Sequence, residues 1–191
     1  MNSTLTSLTR RLPLLVAAAV LLFAPFMVAT SYAGEVPIQI SYTGSLVPIP
    51  VDENADLTHA TVLDGQANGT FGASMTHIIT EWTMTGGMCD DGYLFFELDH
   101  AAIVLTFSNG DQLFGAGATS GWMCMDVYPF GNLTGNFYGE AGGAFSHGTG
   151  RFEGATGSFL SPFSGTNITN KDFDYGFGPI RGTLEGTLTL P

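Results

Sequence analysis

Basic side chains are nearly missing from this 191-residue chain: five Lys and Arg stand against 17 Asp and Glu. Two of the five, Arg10 and Arg11, precede an apolar run over residues 12–29, and only Arg151, Lys171 and Arg181 lie beyond it. Without the first two, three basic groups face 17 acidic ones, a formal charge of −14. So acidic a surface is repelled by phosphate backbones and anionic lipid, which excludes nucleic acid as a partner. It serves solubility outside the cell, with cation binding as the sharper alternative.

Cysteine is also scarce, at two residues, and segments of helical period are almost absent. The nucleophile elbow G-x-S-x-G and the Walker phosphate loop do not occur. The four histidines, His59, His77, His100 and His147, lack metal-ligand spacing, so no metal and no cofactor is predicted. Acidic loop clusters at Asp90-Asp91-Gly92 and at 170–174 do not reproduce an EF-hand loop, and solvated acids are their plain reading.

What is present begins with an export address. Arg10 and Arg11 form a basic start, the apolar run follows, and Ser31-Tyr32-Ala33 sets small residues at −3 and −1 of a cleavage site. An uncleaved anchor is the alternative, and the change to strand-like sequence right after Ala33 favours cleavage. The expected layout is a signal peptide over 1–33 and one domain over 34–191, secreted or periplasmic. In an oxidising compartment the pair Cys89 and Cys124 favours a disulfide. Closing that loop stabilises the fold by about 3–4 kcal/mol in the chain-entropy model. A soft-metal site using Met88, Met123 and Met125 beside the thiolates is the competing reading.

The mature part carries all 26 glycines. Strands are predicted over 36–43, 74–85, 93–99, 101–107, 112–114, 121–128, 133–145, 158–163 and 180–190. Asn109-Gly110 reads as a two-residue type I′ hairpin turn. The last strand alternates cleanly, with Leu184, Gly186, Leu188 and Leu190 on one face and Thr183, Glu185, Thr187 and Thr189 on the other. Pro48, Pro50 and the acids Asp52, Glu53 and Asp56 mark residues 47–64 as a long loop or arm, and 166–177 as a second loop. Asn68, Asn132 and Asn167 each head an N-glycosylation sequon. The fold class is all-β, and short strands with glycine-rich turns fit a closed antiparallel barrel or a sandwich.

The string Gly148-Thr149-Gly150-Arg151-Phe152-Glu153-Gly154-Ala155-Thr156-Gly157, with the closing Gly182-Thr183-Leu184-Glu185-Gly186-Thr187-Leu188, resembles the allene oxide cyclase barrel family. Plant cyclases have a GGSGxFEGxxG-like turn before a strand, and dirigent proteins a GGTGKF-like one. Asn109-Gly110-Asp111-Gln112-Leu113-Phe114 looks like an NGD-x-LF element of bacterial secreted relatives, most of unknown function. The similarity covers residues 58–191 and is strongest after Leu98. It implies a closed eight-stranded antiparallel barrel with a lumen open at one end, in a family that often forms trimers. It does not imply cyclase activity. The YEINERDRGSP-like element of the plant enzymes has no match in Glu35 to Ser45, so no catalytic residue is carried over.

Chemistry from the residues themselves rests on two strands. Met75, His77, Ile79 and Glu81 share one face, and Ile78, Thr80, Trp82 and Met84 the other. If the first face lined the lumen, His77 and Glu81 would form an acid–base pair. The plainer reading sends them to solvent and puts Trp82 and Met84 in the core. Tyr93, Phe95, Glu97 and Asp99 raise the same choice, and Asp99-His100 reads as a turn. Glu81, His77 and Glu97 are thus the catalytic candidates, and Trp82, Tyr93 and Phe95 the ligand-binding ones. The leading expectation is a secreted barrel that binds a small apolar ligand or serves as an interaction scaffold. The alternative is a cyclase- or isomerase-type enzyme with a lumen carboxylate; a membrane-spanning barrel is the weakest reading.

Overall fold

A computed structural model describes residues 34–49, 58–126, 134–168 and 178–191. Eight strands follow one another: β1 Gly34–Ile49, β2 Thr58–Gly69, β3 Gly72–Met88, β4 Leu94–Phe107, β5 Gln112–Met125, β6 Thr134–Gly148, β7 Thr156–Ile168 and β8 Gly178–Leu190. A single 3-10 turn, Gly150–Phe152, links β6 to β7. Each strand pairs antiparallel with the next, and β8 returns to pair with β1, closing the ring as a barrel. Closure leaves no exposed sheet edge for another chain to extend.

Strand period alone sets inside from outside. On β8 the inward Ile180, Leu184 and Leu188 are buried, while Arg181, Glu185 and Thr189 are exposed. Ile38, Ile40 and Tyr42 of β1 point inward, and Glu35, Gln39, Ser41 and Thr43 outward. The inner face is filled by alternating large and small residues, the usual solution for a narrow barrel. A Cβ on Gly143 would lie 2.6 Å from Cζ of Phe159, and one on Gly182 2.5 Å from Cζ of Tyr42. These glycines are the seats of aromatic rings.

Several expectations change here. The arm proposed over 47–64 is strand at both ends, since β1 runs to Ile49 and β2 starts at Thr58; residues 50–57 lie outside the described residues. Pro48 is accommodated within the β1–β2 ladder, opposite Thr61. Asp99-His100 is no turn. β4 runs straight through, and the register slips by one residue where Glu81 faces His100 but Trp82 faces Leu98, a β-bulge. The stretch 112–114 and the described part of 121–128 join in β5, which ends at Met125 and whose register with β6 also shifts; 127–128 lie outside the described residues. In the 166–177 loop, β7 extends to Ile168, and 169–177 lie outside the described residues. So do the signal segment 1–33, the acids of 170–174 and the Asn132 sequon.

The Asn109-Gly110 hairpin exists with a different turn. The Gly110 N–H donates to the Phe107 carbonyl and the Phe107 N–H to the Asp111 carbonyl. Ser108 and Asn109 are therefore the central pair, and Gly110 follows at φ +88. This is the three-residue loop with a glycine bulge, not the two-residue type I′ form.

Candidate functional site

One end of the barrel is closed by the glycine string itself. Gly150 and Gly154 take positive φ, +58 and +74, and fold the β6–β7 connection back over the opening. Phe152 is thereby driven fully inside, with ring centroids 5.1 Å from Phe71 and 4.9 Å from Phe107. Arg151 covers the plug from outside. Its guanidinium lies 4.7 Å from the centroids of Phe107 and Phe152, donates to the Phe71 carbonyl, and pairs with Asp111 at 3.5 Å. Three hairpin ends are tied together at that point. Arg151 is thus a clamp and Phe152 a stopper.

Beyond the stopper the barrel interior is apolar, with hydroxyls set among its packed side chains. The Tyr42 hydroxyl meets Ser161 Oγ at 3.0 Å, and the Thr61 and Thr80 hydroxyls meet at 2.6 Å. The Trp82 indole N–H donates to Thr80 at 2.8 Å. Burial raises the Tyr42 pKa above that of an ordinary tyrosine, against the lowering effect of its bond to Ser161. It therefore stays a neutral phenol. Ser74 Oγ and Thr76 Oγ1, at 7% and 2% residue exposure, have no partner among the described residues. Both face inward beside the smallest part of the wall, where Ser74 pairs with Ala67 and Thr76 with Gly65. An unpaired buried hydroxyl costs roughly 1–3 kcal/mol, a cost that an ordered water or a ligand group would each offset.

The sequence-derived catalytic candidates are not brought together in this lumen. The buried residues of β3 are Ser74, Thr76 and Trp82, so His77 and Glu81 stand on the outer face. His77 is exposed and hydrogen-bonds Asp64 of β2 through Nδ1. Glu97 is exposed on the outside of β4, next to buried Phe96. No Asp or Glu among the described residues is buried, nor is His77, His100 or His147. The ligand candidates split. Trp82 is inside, 5.8 Å from Phe163, whereas Tyr93 and Phe95 belong to the outer side.

Outside, β4 to β6 carry a second feature. The disulfide Cys89–Cys124 staples the β3–β4 turn to β5, with Cα atoms 6.2 Å apart. The bridge removes the thiolates that a soft-metal site would need. Met88 is 68% exposed while Met123 is buried, so the methionines do not converge either. Beside the staple, Trp122 lies edge-on to Tyr138 at 5.9 Å, and Tyr93 sits 6.1 Å from Tyr138. Asp91 is committed to this corner: one oxygen accepts from the Tyr93 N–H, the other from the Tyr138 hydroxyl at 2.7 Å. That bond to Asp91, before any other cause, raises the Tyr138 pKa.

Sequence reasoning missed Tyr42, Ser74, Thr76 and Ser161. Tyr42 and Ser161 are 119 residues apart, and Thr and Ser inside a strand carry no hydrophobic signal. No protein-family model matches the chain, and no curated protein matches it. The site must be read from its own geometry.

Proposed function

We propose that this chain is an exported barrel of the allene oxide cyclase-like type that holds a small, mainly apolar ligand in its lumen and performs no covalent chemistry on it. The observation that carries the reading is the pair Ser74 and Thr76: two inward hydroxyls without partners among the described residues, placed opposite the small Gly65 and Ala67. A ligand with one or two hydrogen-bonding groups on an apolar body would satisfy them, as binding sites commonly do. The stopper Phe152 makes one end closed.

The cyclase or isomerase alternative asks for a carboxylate in the lumen. Glu81 and Glu97, its candidates, stand on the outer wall. The hydroxyls that do face inward are poor acids and bases near neutral pH. Export is supported by the Cys89–Cys124 bridge and by the leader sequence. The polar outward faces of β1 and β8 are the reverse of a lipid-facing wall.

Native mass spectrometry of the exported protein, before and after organic extraction, tests the reading. An extractable mass on the wild type that is lost in Thr76→Leu, with the fold retained by circular dichroism, is the expected result. A bare polypeptide mass together with a Thr76→Val variant that is only more stable would sink it. In that case the hydroxyls cost stability without serving a ligand.

A further inference from the structure

The outer wall of β4, β5 and β6 holds a cross-strand row that the lumen reading does not use. Glu97 pairs with Trp122, and Trp122 pairs with Glu140. Paired residues share a face of the sheet, so an indole stands between two carboxylates. Trp122 and Tyr138 are 37% and 36% exposed, large for their size, and their rings cross at 86°. Asp90 and Asp91 flank them at the stapled turn, and Asp99 follows Glu97. Among the described residues the ion pairs are His77–Asp64 and Arg151–Asp111, both elsewhere, so these carboxylates face solvent without cations.

We propose that this wall is a docking surface for a basic polypeptide segment, with an Arg or Lys head over the Trp122 ring and neighbouring cations on Glu97 and Glu140. Aromatic faces attract such heads, Arg above all, and flanking carboxylates add charge-assisted hydrogen bonds. The charge of the whole chain steers a cationic partner toward it. Three other occupants fit less well. A second copy would set Glu97 and Glu140 against their own kind. One metal ion cannot be chelated easily by carboxylates two strand spacings, about 10 Å, apart at the backbone. A sugar chain stacks best on coplanar rings, and these stand nearly perpendicular. The disulfide at Cys124, adjacent to Tyr138 across the sheet, holds the wall rigid.

The probe is a nonamer of alternating Arg and Gly, titrated into the full mature chain and followed by calorimetry at low and high salt. Binding is expected to weaken about tenfold in Glu97→Gln/Glu140→Gln and roughly 3- to 30-fold in Trp122→Ala, from the usual worth of cation–π contacts. Trp122→Phe is the milder variant should Trp122→Ala misfold. The control pair Glu35→Gln/Glu185→Gln removes the same charge from β1 and β8, across the barrel, and is expected to leave affinity within twofold. Equal weakening by both pairs would mean diffuse attraction to an acidic protein and would overturn the proposal. So would tighter binding of a neutral oligosaccharide, of Ca²⁺, or of a second copy that Trp122→Ala abolishes. None of these outcomes depends on whether the lumen holds a ligand.

Discussion

Replacing Phe152 with alanine removes the stopper and nothing else of size. The ring is fully buried, contacts Phe71 and Phe107 at about 5 Å, and lies under the Arg151 guanidinium. Phe-to-Ala changes at such sites cost about 3–5 kcal/mol through lost burial and the cavity left behind. Arg151 also loses one of its aromatic supports, worth about 0.5–1 kcal/mol at an exposed site. The total is a large fraction of the roughly 5–15 kcal/mol that holds a domain folded. With a denaturant slope near 2–3 kcal/mol per molar urea, the midpoint should fall by about 1–3 M. Phe152→Leu keeps an apolar side chain there and should lose about 1–1.5 kcal/mol. Equilibrium unfolding in urea with the disulfide intact reads both. A loss below about 1 kcal/mol in Phe152→Ala would refute the stopper, because the glycine string would then fold without needing what it carries inward.

Gly182→Ala should destabilise by about 1–3 kcal/mol, because the new methyl meets the Tyr42 ring and the Pro162 carbonyl; thermal melting checks it. Tyr42→Phe strands Ser161 Oγ and should lose about 1–2 kcal/mol at pH 7. The same residue sets an alkaline response. Its folded pKa is raised by burial, so its stabilising effect is whole below pH 10 and is lost as pH climbs through the folded value. Stability measured from pH 8 to 11.5 should fall above about 10 in the wild type, and less steeply in Tyr42→Phe. Removing the bridge with Cys89→Ser/Cys124→Ser should cost about 4 kcal/mol for a loop of 35 residues, read by chemical denaturation. A loss under about 1 kcal/mol would show that the ladder alone holds the β3–β4 turn.

What the sequence carried legibly was the wall wherever alternation was strong. Leu184 and Leu188 are buried and Glu185 is exposed, as the β8 pattern reads. The Cys89–Cys124 pairing follows from compartment and parity, and it is the one observed. β2 escaped because its inward residues are Thr61, Leu63, Gly65 and Ala67, which give little apolar rhythm, and because the prolines before it read as a break. Asp99-His100 misled because a bulge inserts one polar residue without stopping the strand. The inner and outer faces of β3 were both named, and only the closed ring decides between them. Trp82 fills the interior, and His77 is left to Asp64 outside. The hydroxyl band was invisible, since Thr61 and Thr76 give no apolar signal and Tyr42 meets Ser161 only once β8 closes on β1.

The glycine string, first legible as tight turns, now has a mechanical role: it drives Phe152 inward, seals one end and leaves the lumen hydroxyls beyond it. Whether those hydroxyls serve a ligand decides the account. The most direct measurement is the native mass of the exported protein beside that of Thr76→Leu. The account predicts an added, extractable mass on the wild type that the variant lacks. Two folded proteins that each show only their own polypeptide mass would contradict it.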